Sequence, residues 1–272
     1  MNFSFANLQA SNLATALVAR VNTQMTQTAA LDDQPELDQA GGQRGEVLLD
    51  QADSFVQLSY DPANNNPQAF AFRANQDLAT PDGSVVVPAG TESSYQAVGQ
   101  QETYLLQTPA EGGMMVQQAV LDNQAQLMTF SDGTTSIEVP YAALPAAQAT
   151  SALVQKLQLQ IGQTAAADEQ AGTDLAMDQP GQVMMQDAGS TVSLAVDMET
   201  GLPRSFSFQA TQNLADAEGN VVVAAGTATA YRREGNLETF SQDVPTEQGV
   251  VRQQAILNNE TQTVEFDEFL VP

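Results

Sequence analysis

Cysteine, histidine and tryptophan are absent from the 272 residues, and eight basic side chains, of which Lys156 is the single lysine, stand against 33 acidic ones. Without cysteine there is no disulfide and no thiolate nucleophile. Without histidine there is no imidazole base, and zinc or haem sites built on His or Cys are excluded. A carboxylate pair is enough for glycoside hydrolysis, but among 33 acids some pair always falls at a workable distance, and no tryptophan offers a sugar platform. The diglycines Gly41-Gly42 and Gly112-Gly113 lack the following Lys and Ser/Thr of a phosphate loop. The expectation is a protein that is not an enzyme. No apolar run is long enough to span a membrane, and the opening MNFSFANLQASNLATALVAR lacks the basic start and apolar block of a secretory signal.

The formal charge of -25 repels nucleic acid and anionic lipid and attracts divalent cations or basic partners. No nucleic-acid partner and no membrane insertion are therefore expected. The acids are spread along the whole chain, as on a solubilising surface suited to salty or extracellular conditions.

What the sequence does contain is itself, twice. AFAFRANQDLATPDGSVVVPAGT at 69–91 returns as SFSFQATQNLADAEGNVVVAAGT at 205–227. A shift of half the chain length aligns the two halves without a gap, at roughly 50 identical positions. This period is far above that of solenoid repeats, so each half reads as a folded domain with its own core, 1–136 and 137–272.

Within each half, MNFSFANL and IEVPYAAL alternate like a short strand. SNLATALVARVNTQMTQ and AAQATSALVQKLQLQIGQ follow, with Leu13, Leu17, Val18, Val21 and Met25, or Leu153, Val154, Leu157 and Ile161, on one helical face. A helix starting at Ser11 or Pro145 is favoured, although the second copy also alternates at Leu157, Leu159 and Ile161. The stretches 28–44 and 164–180 read as exposed loops. Eight strands then follow near EVLLD, SFVQLSY, AFAFRAN, SVVVPAG, SSYQAVG, ETYLLQT, MMVQQAVL and AQLMTF, each with a copy in the second half. The fold class is mainly β, all-β or α+β: two tandem homologous antiparallel β-sandwich or barrel domains, each with one short helix. Phe70 and Phe72, like Phe206 and Phe208, point to one face. The Val-Val-Val run reads as a strand buried on both faces, and Gly90 and Gly226 serve turns that other residues resist.

Apolar strands followed by such Pro/Ala-Ala-Gly-Thr turns resemble those of many bacterial β-domains, including β-barrel subunits of conjugation and secretion machines.

Hard oxygen ligands are the one metal chemistry left, so Asp61 with Asn64 to Asn66, and Asp197 with Glu199, are the candidate calcium ligands. Neither copy has the spacing of a calcium-binding loop, and no other cofactor is expected. The acids at Asp32/Asp168, Asp38/Asp174 and Glu102/Glu238 also recur, as turn or surface residues. Met114-Met115 and Met184-Met185 read as core fillers.

The copies differ most at the ends. Gly133-Thr134-Thr135 in the middle of the chain is replaced by Phe269-Leu270-Val271 near its end. This apolar tail packs on its own domain or meets Met1 to Phe5 of another molecule, in a head-to-tail homopolymer. Phe3, Phe5, Phe269, Leu270 and Val271 are then the interface. Glu268-Phe269-Leu270-Val271, an acid before three apolar residues, resembles the terminal signal of some type I secretion substrates, from which the final Pro272 departs. That resemblance implies an extracellular or cell-surface location without a classical signal peptide. The functional expectation is a structural subunit of a fibre, layer, matrix or virion-type particle. The alternative is a soluble binding module for a glycan, a basic peptide or calcium, with two duplicated sites.

Overall fold

A computed structural model describes residues 1–32, 34, 36–41, 43–167, 174–176 and 179–271. β1 (Asn2–Ser4) runs directly into α1 (Phe5–Ala29). Then come β2 (Glu46–Asp50), β3 (Ser54–Asp61), β4 (Asn66–Ala74), a ribbon of β5 (Leu78–Ala79) and β6 (Val85–Val87), β7 (Glu92–Val98), β8 (Gln101–Ala110), β9 (Gly113–Asp122) and β10 (Leu127–Ser131). The series repeats with β11 (Ser136–Pro140), a 3-10 turn at Tyr141–Ala143, α2 (Leu144–Ala165), β12 (Gln182–Gln186), β13 (Ser190–Val196) and β14 (Pro203–Ala210). It ends with a second ribbon of β15 (Leu214–Ala215) and β16 (Val221–Val223), then β17 (Ala228–Glu234), β18 (Leu237–Thr246), β19 (Gly249–Asn258) and β20 (Thr263–Val271).

The ambiguous stretches are helices, and they are longer than the short element expected. Helix α1 starts at Phe5, where Ser4 Oγ accepts the Asn7 N–H at 3.3 Å, and Pro145 sits in the first turn of α2, where its missing N–H costs nothing. Ala10, Ala14, Leu17, Val21 and Met25 form the buried face of α1, and Leu153, Val154, Leu157 and Ile161 that of α2. Leu13 is 43% exposed, off the face that Ala10, Ala14, Leu17, Val21 and Met25 bury.

The strands form two eight-stranded antiparallel sheets, ordered β11-β10-β9-β8-β7-β4-β3-β2 and β1-β20-β19-β18-β17-β14-β13-β12. In the first, Val47, Leu58, Phe70, Tyr95, Tyr104, Ala119 and Phe130 are successive cross-strand partners, and all are buried. In the second, Val183, Leu194, Phe206, Tyr231, Phe240, Ala255 and Phe266 make the equivalent row. Period-two patterning thus becomes one apolar stripe across each sheet, and a helix shares the core with it. The packing is sandwich-like, with a sheet as one layer and a helix as the other.

The 136-residue period does not coincide with the spatial units. One compact unit is Gln9–Leu144, hereafter the N-terminal unit. The other, the C-terminal unit, joins Met1–Leu8 to Pro145–Pro272. In each sheet the strand that precedes a helix forms one end: β11, which opens the second repeat, pairs with β10 of the first, whereas β1 pairs with β20 of the second, Phe3 opposite Val264.

Two features of the sequence stand corrected. The valine triplets are not buried on both faces: Val85 and Val86 are 52% and 58% exposed, and Val221 and Val222 are 55% and 62% exposed. They lie on the two-stranded ribbons, outside the large sheets, and an unbroken apolar run looks the same in either setting. The methionine pairs are not core fillers either. Met114 and Met115 are exposed near the start of β9, Met184 is exposed in the middle of the short edge strand β12, and Met185 alone packs against the core. Gly90 and Gly226 do adopt positive φ (81° and 85°) as the turns require.

Candidate functional site

In the N-terminal unit the last turns of α1 and the facing ends of β3 and β4 leave a cleft of ≈ 510 Å³. Met25, Ala29, Leu58, Tyr60 and Pro67 give it apolar walls, and Asn22, Thr26 and Asn65 add uncharged polar groups. A glycine holds this end of the sheet together. Tyr60 N–H donates to the Gly45 carbonyl at 2.9 Å, and a Cβ on Gly45 would lie 2.7 Å from the Tyr60 carbonyl oxygen. Gly45 also has φ 94°, so only glycine fits without strain.

The C-terminal unit carries the same feature at the same place. A cleft of ≈ 260 Å³ is lined by Ala165, Leu194, Val196 and Gly201, the counterparts of Ala29, Leu58, Tyr60 and Asn65. A second cleft of ≈ 280 Å³ includes Pro203, the counterpart of Pro67. Asp197 lines both. The duplicated cleft therefore exists as one space in the first unit and as two, sharing a wall, in the second.

The two copies differ in charge. Among the described residues no acid or base lines the N-terminal cleft. In the C-terminal unit Arg204 and Arg233 line the ≈ 280 Å³ cleft, where the first copy has Gln68 and Ala97. Arg204 Nε donates to Asp197 Oδ2 at 3.0 Å. That bond, with the N–H groups of Glu199 and Thr200, holds the Asp197 carboxyl at about 2, well below the usual carboxylate range. These arginines were missed in the sequence, although the clustering of Arg204, Arg232 and Arg233 in one copy of a chain so poor in basic residues was a readable signal.

Of the residues singled out from the sequence as ligands or interface, Asn65 and Asp197 line these clefts and the others fall elsewhere. Asp61 Oδ1 accepts from Ala63 N–H and its Oδ2 from Asn64 Nδ2, both at 2.9 Å, so this carboxylate closes its own turn. Asp197 is engaged as above, and Glu199 contributes a backbone N–H to it. Among the described residues no group of three or more acids is placed to hold a metal ion. Phe3 is buried in the C-terminal core and Phe5 packs against it, while Phe269 to Val271 pair with Val250 to Arg252 of β19. Phe269 and Leu270 remain 43% and 51% exposed. Asp38 and Asp174 are buried rather than solvated, each accepting two backbone N–H groups that fasten the loop to β2 or β12. Asp168, Gly42 and Pro272 lie outside the described residues.

The recurrent acids Glu102 and Glu238 have a different role. Glu102 accepts from Tyr95 and Tyr104 hydroxyls and from Asn123 Nδ2, at 3.3, 3.1 and 2.9 Å. Glu238 accepts from Tyr231 and Asn259, at 2.9 and 2.7 Å. Desolvation, then the adjacent carboxylate, pushes the Tyr95 phenol up to about 12, and desolvation is also the leading cause of the rise at Tyr104, Tyr141 and Tyr231. These phenols stay protonated at neutral pH and are no bases. Raised folded-state values mean stability that is complete below about pH 10, the ordinary tyrosine value, and lost as pH climbs towards 12. Tyrosinate absorbance followed together with circular dichroism should show ionisation coupled to cooperative unfolding on the alkaline side. Ionisation near pH 10 with the fold intact would refute this.

Comparison with protein-family models, with curated proteins and with solved structures finds no match for this chain. Among the described residues no helix is long and apolar enough to cross a membrane.

Proposed function

We propose that this chain is a non-catalytic binding protein offering two copies of one cleft, each for a small, largely apolar ligand or ligand moiety. The observation that carries this reading is the recurrence of the cleft at equivalent residues of both units, with apolar walls and a few polar groups. Duplication then gives two sites per chain, and avidity for any partner displaying two such groups. An acidic, cysteine-free surface suits the extracellular setting proposed for it.

The test is fluorescence titration with the neutral dye N-phenyl-1-naphthylamine. Wild type should take up two equivalents, and Ala29→Trp and Ala165→Trp, which fill one cleft each, should remove one apiece. Stoichiometry unchanged in both variants would sink the proposal.

Assembly through the chain ends is a second reading, supported by one observation. β1 spans only Thr263–Glu265, so β20 from Asp267 to Val271 has no strand on that side among the described residues, and Phe269 and Leu270 are exposed there. A head-to-tail polymer would exchange β1 between copies, since within this chain β1 already occupies the edge of β20. Light scattering behind a sizing column would reveal it as a mass that is a multiple of 28.8 kDa.

A further inference from the structure

Resting on the binding reading above, we infer that the two clefts have diverged in ligand class, and that the C-terminal one takes an amphipathic molecule with an apolar body and an oxyanion head. Arg204 and Arg233 belong to strands β14 and β17, which pair antiparallel with Ser205 opposite Arg232, so that these two arginines come opposite each other one step beyond. Both line the ≈ 280 Å³ cleft, along with Thr200. Asp197 balances Arg204. Arg232, on the opposite face of β17, is balanced by Glu234. Arg233 has no carboxylate within ion-pair distance among the described residues, and it is half-buried. Glu238 stands directly opposite Arg233 in the β17–β18 pair, but it accepts from Tyr231 and Asn259 and forms no ion pair with Arg233, so the guanidinium keeps its donors for a ligand.

The neighbouring ≈ 260 Å³ cleft supplies the other half of the ligand. Its walls are Ala165, Val183, Leu194, Val196 and Met198, and Asp197 is common to both spaces. An apolar body there sets its head group beside Arg233, which can offer a forked pair of N–H donors to a carboxylate, sulfonate or phosphate. The first copy has Gln68 and Ala97 at the arginine positions, and the described residues of the N-terminal cleft offer only uncharged groups, so it has no such preference.

A matched pair of dyes separates these ideas in the full-length chain. 8-Anilinonaphthalene-1-sulfonate is the sulfonated counterpart of N-phenyl-1-naphthylamine. The sulfonate should bind one site, lost in Ala165→Trp and kept in Ala29→Trp. Arg233→Ala should weaken it about ten-fold or more while changing the neutral dye by no more than about two-fold, with Arg233→Lys recovering part of the loss. Decanoate and decyl phosphate should displace the sulfonate and decanol should not, the stronger of the two anions identifying the preferred head group. Circular dichroism of each variant confirms that the fold is kept. Sulfonate binding indifferent to Arg233→Ala, or displaced by decanol as readily as by decanoate, overturns the charge selection while leaving two neutral-dye sites in place. Failure of the neutral dye at both clefts overturns the binding reading itself.

Discussion

Phe3→Asp is expected to loosen the C-terminal unit, more than a hundred residues away in sequence, and to leave the N-terminal unit unchanged. Phe3 lies opposite Val264 and is buried in the core with Leu157, Phe240 and Phe266. A carboxylate there would cost several kcal/mol to bury without a partner, more than three residues of pairing can repay, so β1 should leave the sheet. The loss is then capped at what the strand contributes, about 3–5 kcal/mol if Phe3 behaves like other buried phenylalanines. Hydrogen exchange followed by mass spectrometry should show β20 deprotected around Thr263 to Phe266, whose last amide now donates to the Met1 carbonyl at 2.8 Å. The equivalent position in the other sheet is Val139, buried in β11, and exchange across β10 and β11 should not change. Deprotection of both sheets, or of neither, would mean that β1 is not seated as described.

The second large effect is expected at Phe240. It is 1% exposed, the largest of the fully buried side chains, and its ring centre lies 4.8 Å from that of Tyr231 at an interplanar angle of 53°. Truncation to alanine removes this contact and opens a cavity in the middle of the apolar row, a change worth about 3–5 kcal/mol. Measured by denaturant unfolding, that is a large share of the 5–15 kcal/mol typical of a domain. Phe240→Tyr is the informative control. The N-terminal unit has Tyr104 at this position, donating to Glu102, and Glu238 stands in the same place here. The tyrosine variant should therefore be near neutral. A loss similar to that of the alanine variant would show that the two networks are not interchangeable.

Particular residues show how far the sequence could be read. Phe70 and Phe206 were legible as inward-facing because alternation in an antiparallel strand has one geometric solution once a face is buried. The helices were legible from the agreement of two copies, and the start of α2 at Pro145 with them, although the first turn of α1 was not, because Ser4 is as ordinary in a strand as at a helix cap. The exposed valines were not legible, since hydrophobicity alone does not distinguish a central strand from a ribbon. The clefts were invisible for another reason. Met25, Leu58, Tyr60 and Pro67 are spread over more than forty positions, and each taken singly is an unremarkable apolar residue. The acid pair Asp38 and Asp174 was visible as a recurrence, but burial gave it a fastening role that composition could not assign.

The sequence by itself determined the duplication, the antiparallel β character of both halves, the places of the turns and the face to which the phenylalanines point. All of these follow from local periodicity and turn chemistry. The tertiary structure decided which strand completes which sheet, which recurrent residues are core and which are surface, and where the chain leaves a space for a ligand. Pairing β1 with β20 is a choice between edges far apart in the chain, and three residues encode too little register to announce it. The cleft is likewise a gap between a helix end and two strand ends, and it exists only once those ends are brought together.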